Sequence, residues 1–293
     1  MKVGGQAIIE GVLMMGKKVA IAVRDKEGKI VTESLGKIKR TKFLKIPFLR
    51  GFFSLYYSLY YGLKALDRSA EISSGEEMKK SDTFFSILIA LALGIGVFVL
   101  VPVWITGLVG VKNNEFLFSL VDGFIRLVFF LLYVWIIAFM KDVKRVFQYH
   151  GAEHKTIHAY ENNEELTPEN VQKYSTIHPR CGTNFVMIFL IVAILLFSLF
   201  GIWKPLTGLQ RVLIRIIFIP VIASLSYELL KIFDKFPFLR FLALPGLLLQ
   251  KLTTAEPDLS QLEVAIASLK FALEDEDGNT NKDVDENPVE FMG

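Results

Sequence analysis

The chain has 293 residues, 52% of them hydrophobic, with 25 Phe and a mean hydropathy of +0.43, more than a soluble domain of this length carries. Its net charge of +3 is too small to mark a nucleic-acid binder, and a single Cys excludes an internal disulfide, as suits a reducing compartment. These values point to an integral membrane protein whose partners are anionic membrane lipids, with no nucleic acid expected.

Residues 1–36 mix Gly, charge and short β-prone pieces, which does not read as a secretory leader but as a small β-rich subdomain. An apolar stretch from Ala7 to Met15 is broken by Glu10 and Gly11; VAIAV, a turn at Asp25 to Gly28 and KIVTES follow. Gly4, Gly5 and Gln6 spell the GGQ of peptidyl-tRNA-hydrolysing release factors, but no basic soluble domain accompanies it, and it reads as a turn before the first strand. Residues 37–82 begin with Lys37, Lys39, Arg40, Lys42, Lys45 and Arg50 and continue into an aromatic stretch at 47–71 suited to an amphipathic interfacial helix. Within residues 83–236, the runs 84–109, 116–140, 184–203 and 212–233 are each near or above the roughly 20 residues that span a hydrocarbon core. Asp122 and Arg126 lie four apart in the second run and share a helix face, where pairing lowers the cost of burial. The fourth run holds Arg215 and ends in Glu228.

The link between the second and third runs, 141–183, carries Lys141, Lys144, Arg145, Lys155, Lys173 and Arg180, whereas the first link offers only Lys112. Basic flanks favour the cytoplasm, so a multi-pass inner-membrane protein with both termini and this link cytoplasmic is expected; Lys204 and Arg211 oppose the trend mildly. Residues 237–273 comprise PFLRFLALPGLLLQ, a re-entrant or interfacial segment broken by Pro245 and Gly246, and then a cytoplasmic helix. That helix has capping-box spacing at Ser260 to Glu263 and an apolar face of Leu262, Ile266, Leu269 and Leu273. Residues 274–293 form an acidic tail with the composition of disorder. The predicted fold class is thus mainly α, a polytopic membrane protein with about four transmembrane helices, interfacial helices and a small β subdomain on the cytoplasmic side.

All four His and the Cys fall between residues 150 and 181. On a helix, steps of four place His150, His154 and His158 in one stripe, and Glu161 returns to the same side. His150, Glu153 and His154 match HxxEH, in which two imidazoles hold a metal and the Glu polarises water. Further ligands could come from His178 and Cys181 of HPRC, and Glu228 and Glu10 are carboxylates in apolar surroundings that need a partner. The competing reading is an interfacial histidine stripe that binds nothing or senses pH. A transporter would place its ligands near the midplane, where only Asp122, Arg126 and Arg215 stand.

The runs GGQAIIEGVLMMG at 4–16, YHGAEHKTIHAYE at 149–161, HPRCGTNF at 178–185 and LTTAEPDLSQLEVAIASL at 252–269 resemble the DUF1385 family of bacterial membrane proteins. The resemblance implies a metal-dependent membrane enzyme of unassigned reaction. It also implies one composite site, because the family's recurrent blocks coincide with His150, Glu153, His154, His158, His178, Cys181, Glu10 and Glu256. The expectation is therefore a divalent metal, Zn²⁺, held by His150, His154 and either His158 or His178, with Glu153 as general base. Cys181 or Glu228 would complete the shell, and Glu10, Glu161, Arg180 and Glu256 would support it. The expected reaction is hydrolysis of a lipid-linked or membrane-peptide substrate at the cytoplasmic face; the alternative is a scaffold, a metal or pH sensor, or a transporter-like protein.

Overall fold

Four β-prone runs pair with their sequence neighbours in a computed structural model that describes residues 3–38, 46–76, 80–111, 114–203 and 208–274. Strands β1 (Gly4–Ile8), β2 (Gly11–Met15), β3 (Val19–Arg24) and β4 (Ile30–Gly36) form an antiparallel sheet in the order β1-β2-β3-β4. GGQ does not form the expected turn: Gly4 to Gln6 lie within β1 and pair with Met15, Met14 and Leu13. The turn falls instead at Ile9 and Glu10, where Glu10 takes φ 52° and its carbonyl accepts the Arg24 N–H at 2.8 Å.

Strands β2 and β3 are buried on both faces, so the sheet needs two covers. One face presents Val12, Met14, Ala20 and Ala22 to α5 (Lys141–Glu161) and α10 (Leu259–Leu273). The other presents Leu13, Met15, Ile21 and Val23 to Tyr61 and Ala65 of α1 (Leu49–Ser74). On the face towards α5 and α10, larger residues lie opposite small ones, Val12 opposite Ala22 and Met14 opposite Ala20, which leaves room for the two helices to pack closely. The β-rich segment is therefore the middle layer of a sandwich, covered on one face by α1, which follows it in the chain, and on the other by α5 and α10 from the middle and the end. Ser268 Oγ of α10 donates to Val12 O at 2.8 Å, a link across 256 positions.

Among the described residues, four helices are long and apolar enough to cross a membrane: Phe84–Leu108, Glu115–Ile137, Gly182–Leu199 and Leu213–Lys235. The first comprises α2 (Lys80–Ile95), a π turn at Gly96–Leu100 and α3 (Val101–Leu108); the others belong to α4 (Glu115–Ile137), α7 (Gly182–Trp203) and α8 (Gly208–Lys235). Phe185, Ile188 and Val192 of α7 pack against Ile222, Ala223 and Tyr227 of α8. Gly123 of α4 lets Ile194 approach so closely that a Cβ there would lie 2.6 Å from it.

The histidine helix does not continue α4, although no Pro or Gly separates them. Met140 is extended at φ −73° and ψ 130°, and α5 starts afresh beyond it. A short helix α6 (Pro168–Val171) follows, capped by Thr167. The segment 237–250 becomes a 3₁₀ helix, Pro237–Ala243, and α9 (Leu244–Thr253). Its Pro245 sits in the first turn of α9, where a missing N–H costs nothing, and its Gly246 packs on Asn184 of α7. The capping box of α10 is two residues upstream of its expected place: Asp258 accepts from Gln261 N, and the Gln261 side chain accepts from Asp258 N at 3.0 Å. Residues 39–45, Lys112, Lys204 and the tail from 275 lie outside the described residues.

Candidate functional site

Helix α5 is the polar element of the site, and its glycine explains how close the site can come to the next segment. At Gly151 an added Cβ would lie 2.2 Å from the Ala255 carbonyl oxygen, so only Gly lets α5 touch the Thr253–Glu256 strap between α9 and α10. Ala255 N–H donates to Phe147 O at 2.9 Å and closes the strap onto the helix. The turn before α7 approaches from the other side. There the Gln250 side chain grips the His178 backbone twice, accepting its N–H at 2.8 Å and donating to its carbonyl at 2.9 Å.

This arrangement brings His150, His154 and Cys181 together, with one ligand atom from each all within 4.8 Å of one another. Both imidazoles are oriented by backbone carbonyls: His150 Nδ1 lies 2.8 Å from Thr253 O, and His154 Nδ1 lies 2.5 Å from Thr176 O. A carbonyl can only accept, so each Nδ1 carries the proton and each Nε2 keeps its lone pair, as metal-ligating histidines require. His150 Nε2 lies 3.2 Å from Cys181 Sγ. Tetrahedral zinc with imidazole and thiolate ligands separates neighbouring donor atoms by about 3.3–3.7 Å.

Glu153 Oε2 lies 4.0 Å from His150 Nε2 and 3.7 Å from His154 Nε2. Glu153 Oε2 and His154 Nε2 are both buried without a hydrogen-bond partner, a costly arrangement that a cation between them would relieve. The donor set therefore fits a borderline-soft divalent ion. Burial pushes the Glu153 carboxyl up to about 8 and the His154 imidazole down to about 4. Burial opposes ionisation of Cys181, whereas the His154 ring when it is protonated, and the Thr183 hydrogen bonds, favour the thiolate. In water near neutral pH, the site holds a neutral His154 lone pair and a protonated Glu153.

His158 and His178 form a second pair beside the first, their ring centroids 4.6 Å apart. His158 Nε2 is turned to Ile177 O at 2.9 Å. His178 accepts the Arg180 N–H on Nδ1 at 3.3 Å and faces Glu161 through Nε2 at 3.6 Å, so both its nitrogens are engaged away from Cys181. Glu161 also pairs with Arg180; burial tends to raise its carboxyl, but the bonds from His178 and Arg180 hold it at about 2. Of the other expected carboxylates, Glu228 belongs to an ion pair with Arg50 and accepts Phe48 N–H at 3.1 Å. Glu10 pairs with Arg145 and accepts from the Tyr149 hydroxyl at 3.3 Å, and Glu256 binds Lys155 and Gln172. These three are structural contacts of α1, α5 and the strap, not members of the cluster.

Sequence reasoning missed Gly5. A Cβ there would lie 2.8 Å from both Cγ and Oε1 of Glu153 and 2.9 Å from Leu13 O, so β1 forms the wall against which Glu153 rests. The paired glycines of GGQ were the signal, since adjacent Gly in a strand marks a close approach of another group.

Residues 46–275 match the family model described as Protein of unknown function (DUF1385). The chain is also 36% identical over 300 aligned residues to the Uncharacterized protein YqhQ of Bacillus subtilis (strain 168), covering 92% of each chain. No solved structure matches. With most of its length matched by the model and nearly all of it by that relative, the chain belongs to the DUF1385 family.

Proposed function

We propose that this protein is a multi-pass membrane enzyme, a zinc-dependent hydrolase acting at the cytoplasmic face on a lipid-linked or membrane-peptide substrate. The observation that carries this reading is the pair of buried, unpartnered atoms, Glu153 Oε2 and His154 Nε2, beside two further donors. His150, His154 and Cys181 would hold the ion, leaving a fourth position of the kind that catalytic zinc sites keep open. When bound, zinc supplies Lewis acidity that polarises an oxygen-bearing substrate group and makes water a nucleophile near neutral pH. Glu153 Oε2 then takes a proton from the attacking water and returns it to the leaving group, the two duties of a general acid–base group. Gly5 of β1 leaves room for the Glu153 side chain, which rests against the strand at that point. The four long apolar helices support the membrane location, and the basic side chains at the site end, among them Lys141, Lys144 and Arg145, support a cytoplasmic orientation.

A second reading is favoured by the burial of His154, Cys181 and Glu153, each at most 2% exposed: a closed structural zinc site tying α5 to the 178–181 turn in a membrane scaffold. Elemental mass spectrometry of detergent-purified protein tests both. About one equivalent of zinc in the wild type, lost in His154→Ala, is expected. Glu153→Gln separates the readings, since an enzyme keeps its zinc and loses turnover while a four-ligand structural site loses zinc. Wild type that neither carries nor takes up a transition metal refutes the two together.

A further inference from the structure

Gln250, in the last turn of α9, is fully buried and holds the backbone of His178 by two hydrogen bonds. Its Oε1 accepts the His178 N–H at 2.8 Å, and its Nε2 donates to the His178 carbonyl at 2.9 Å. A carboxamide suits this task because it carries an acceptor and donors side by side, as a peptide unit does.

The segment it holds supplies two parts of the cluster. Thr176 O, two residues before His178, orients His154 Nδ1 at 2.5 Å. Cys181 follows three residues after His178, and its N–H closes the turn on the His178 carbonyl at 3.4 Å, the same oxygen that Gln250 binds. On its own side Gln250 precedes by three residues Thr253, whose carbonyl orients His150 Nδ1 at 2.8 Å. The Gln250 carbonyl also accepts the N–H and the hydroxyl of Thr254, each at 2.8 Å, where the strap leaves α9. The carboxamide thus joins the segment that places Cys181 and orients His154 to the one that orients His150. Two neighbours assist it. Asn184 Nδ2 donates to Pro179 O at 2.6 Å and shapes the turn from within α7, while the Thr183 and Thr253 hydroxyls lie 3.5 Å apart, at the outer limit of a hydrogen bond.

We propose that Gln250 is the positioning residue of the His150–His154–Cys181 cluster: its carboxamide sets the distance from Cys181 Sγ to the two imidazoles, and with it the affinity of the cluster for a divalent ion. The inference rests on the reading that this cluster binds a metal, and it is the same whether the ion is catalytic or structural. Affinity depends on groups behind the ligands because these fix where the donor atoms stand. An apolar side chain of the same length would leave the His178 N–H and carbonyl without their Gln250 partner in a buried place. The turn would shift to repair them and carry Thr176 O and Cys181 with it.

The test uses full-length, metal-stripped protein in mild detergent, titrated with Co²⁺, which takes zinc ligands and shows a near-ultraviolet charge-transfer band when a thiolate binds it. Gln250→Met keeps the length of the side chain and removes both bonds, whereas Gln250→Glu keeps the bond from the His178 N–H and loses the donor. Ser268→Ala, which deletes the hydrogen bond from α10 to Val12 O, controls for loss of a buried bond outside the cluster. Wild type is expected to bind about one equivalent of Co²⁺ with the thiolate band. Gln250→Met should bind about ten- to a hundredfold more weakly and with a reduced band, Gln250→Glu should fall between, and Ser268→Ala should match wild type. Wild-type affinity and spectrum in folded Gln250→Met overturn the proposal, and so does an equal loss of affinity in Ser268→Ala, which traces the effect to general destabilisation. If Gln250→Met does not fold, Gln250→Glu decides by the same two readings. Wild type that neither binds Co²⁺ nor shows the band refutes the metal reading itself, and the proposal with it.

Discussion

Glu153 occupies a place where a lone carboxylate is unfavourable: buried, beside two imidazoles, with one oxygen unbonded. Its folded value of about 8 lies above the ordinary 4.5, so the metal-free folded protein binds this proton more tightly than the unfolded chain does. The resulting stability is whole below pH 4.5 and is lost as pH rises towards 8. Glu153→Gln removes that dependence. In chelator, the variant should unfold at a higher temperature than wild type above about pH 8, and the gap should close below about pH 4.5. Parallel pH profiles would show that Glu153 is not held neutral by burial. Adding a divalent cation reverses the preference, because a nearby positive charge favours the carboxylate. At this scale the histidine spacing was informative, as His150 and His154 share a helix face and meet in the cluster. Cys181 was among the candidates, but the choice between it, His158 and His178 was not legible, because their positions relative to the His150–His154 pair depend on how the HPRC turn docks.

Among the elements, α10 closes the sheet and delivers the strap that orients His150 through Thr253 O. Asp258 is its N-cap, with the reciprocal bond from the Gln261 side chain. Asp258→Ala should cost about 1 kcal/mol of stability in denaturant unfolding, while Asp258→Asn, which keeps the acceptor, should cost much less. Equal losses in the two variants would mean that the carboxylate charge matters and the cap does not. Sequence periodicity identified α10 but placed its start at Ser260, because Ser260 and Glu263 have the same spacing as Asp258 and Gln261. Docking on the sheet chose between them. The break between α4 and α5 likewise carries no Gly or Pro. It arises where a long, mainly apolar helix gives way to one that must face the sheet.

Over the whole molecule, the site unites α5, the turn before α7 and the strap before α10, so occupancy should stabilise the fold globally. Zinc at one hundred times its dissociation constant should add about 2.7 kcal/mol to the wild type, read as a raised unfolding temperature, and nothing to His154→Ala. A shift of equal size in both would place the ion elsewhere. Length and composition alone determined the four long apolar helices, because the span of a hydrocarbon core demands a run that no other pattern mimics. Short β-prone runs and turn residues also marked the β-rich segment, though not that Gly4 to Gln6 belong to its first strand, and helical spacing marked the Asp122–Arg126 pair. Tertiary structure alone decided that Arg215 joins that pair, that Glu228 pairs with Arg50 and stays out of the histidine cluster, and that Gly5 of the sheet walls Glu153. The physical reason is common to all three. Local pattern records the conformation and the face of each element, whereas an ion pair or a close approach between residues separated by about a hundred positions or more exists only once those faces are packed.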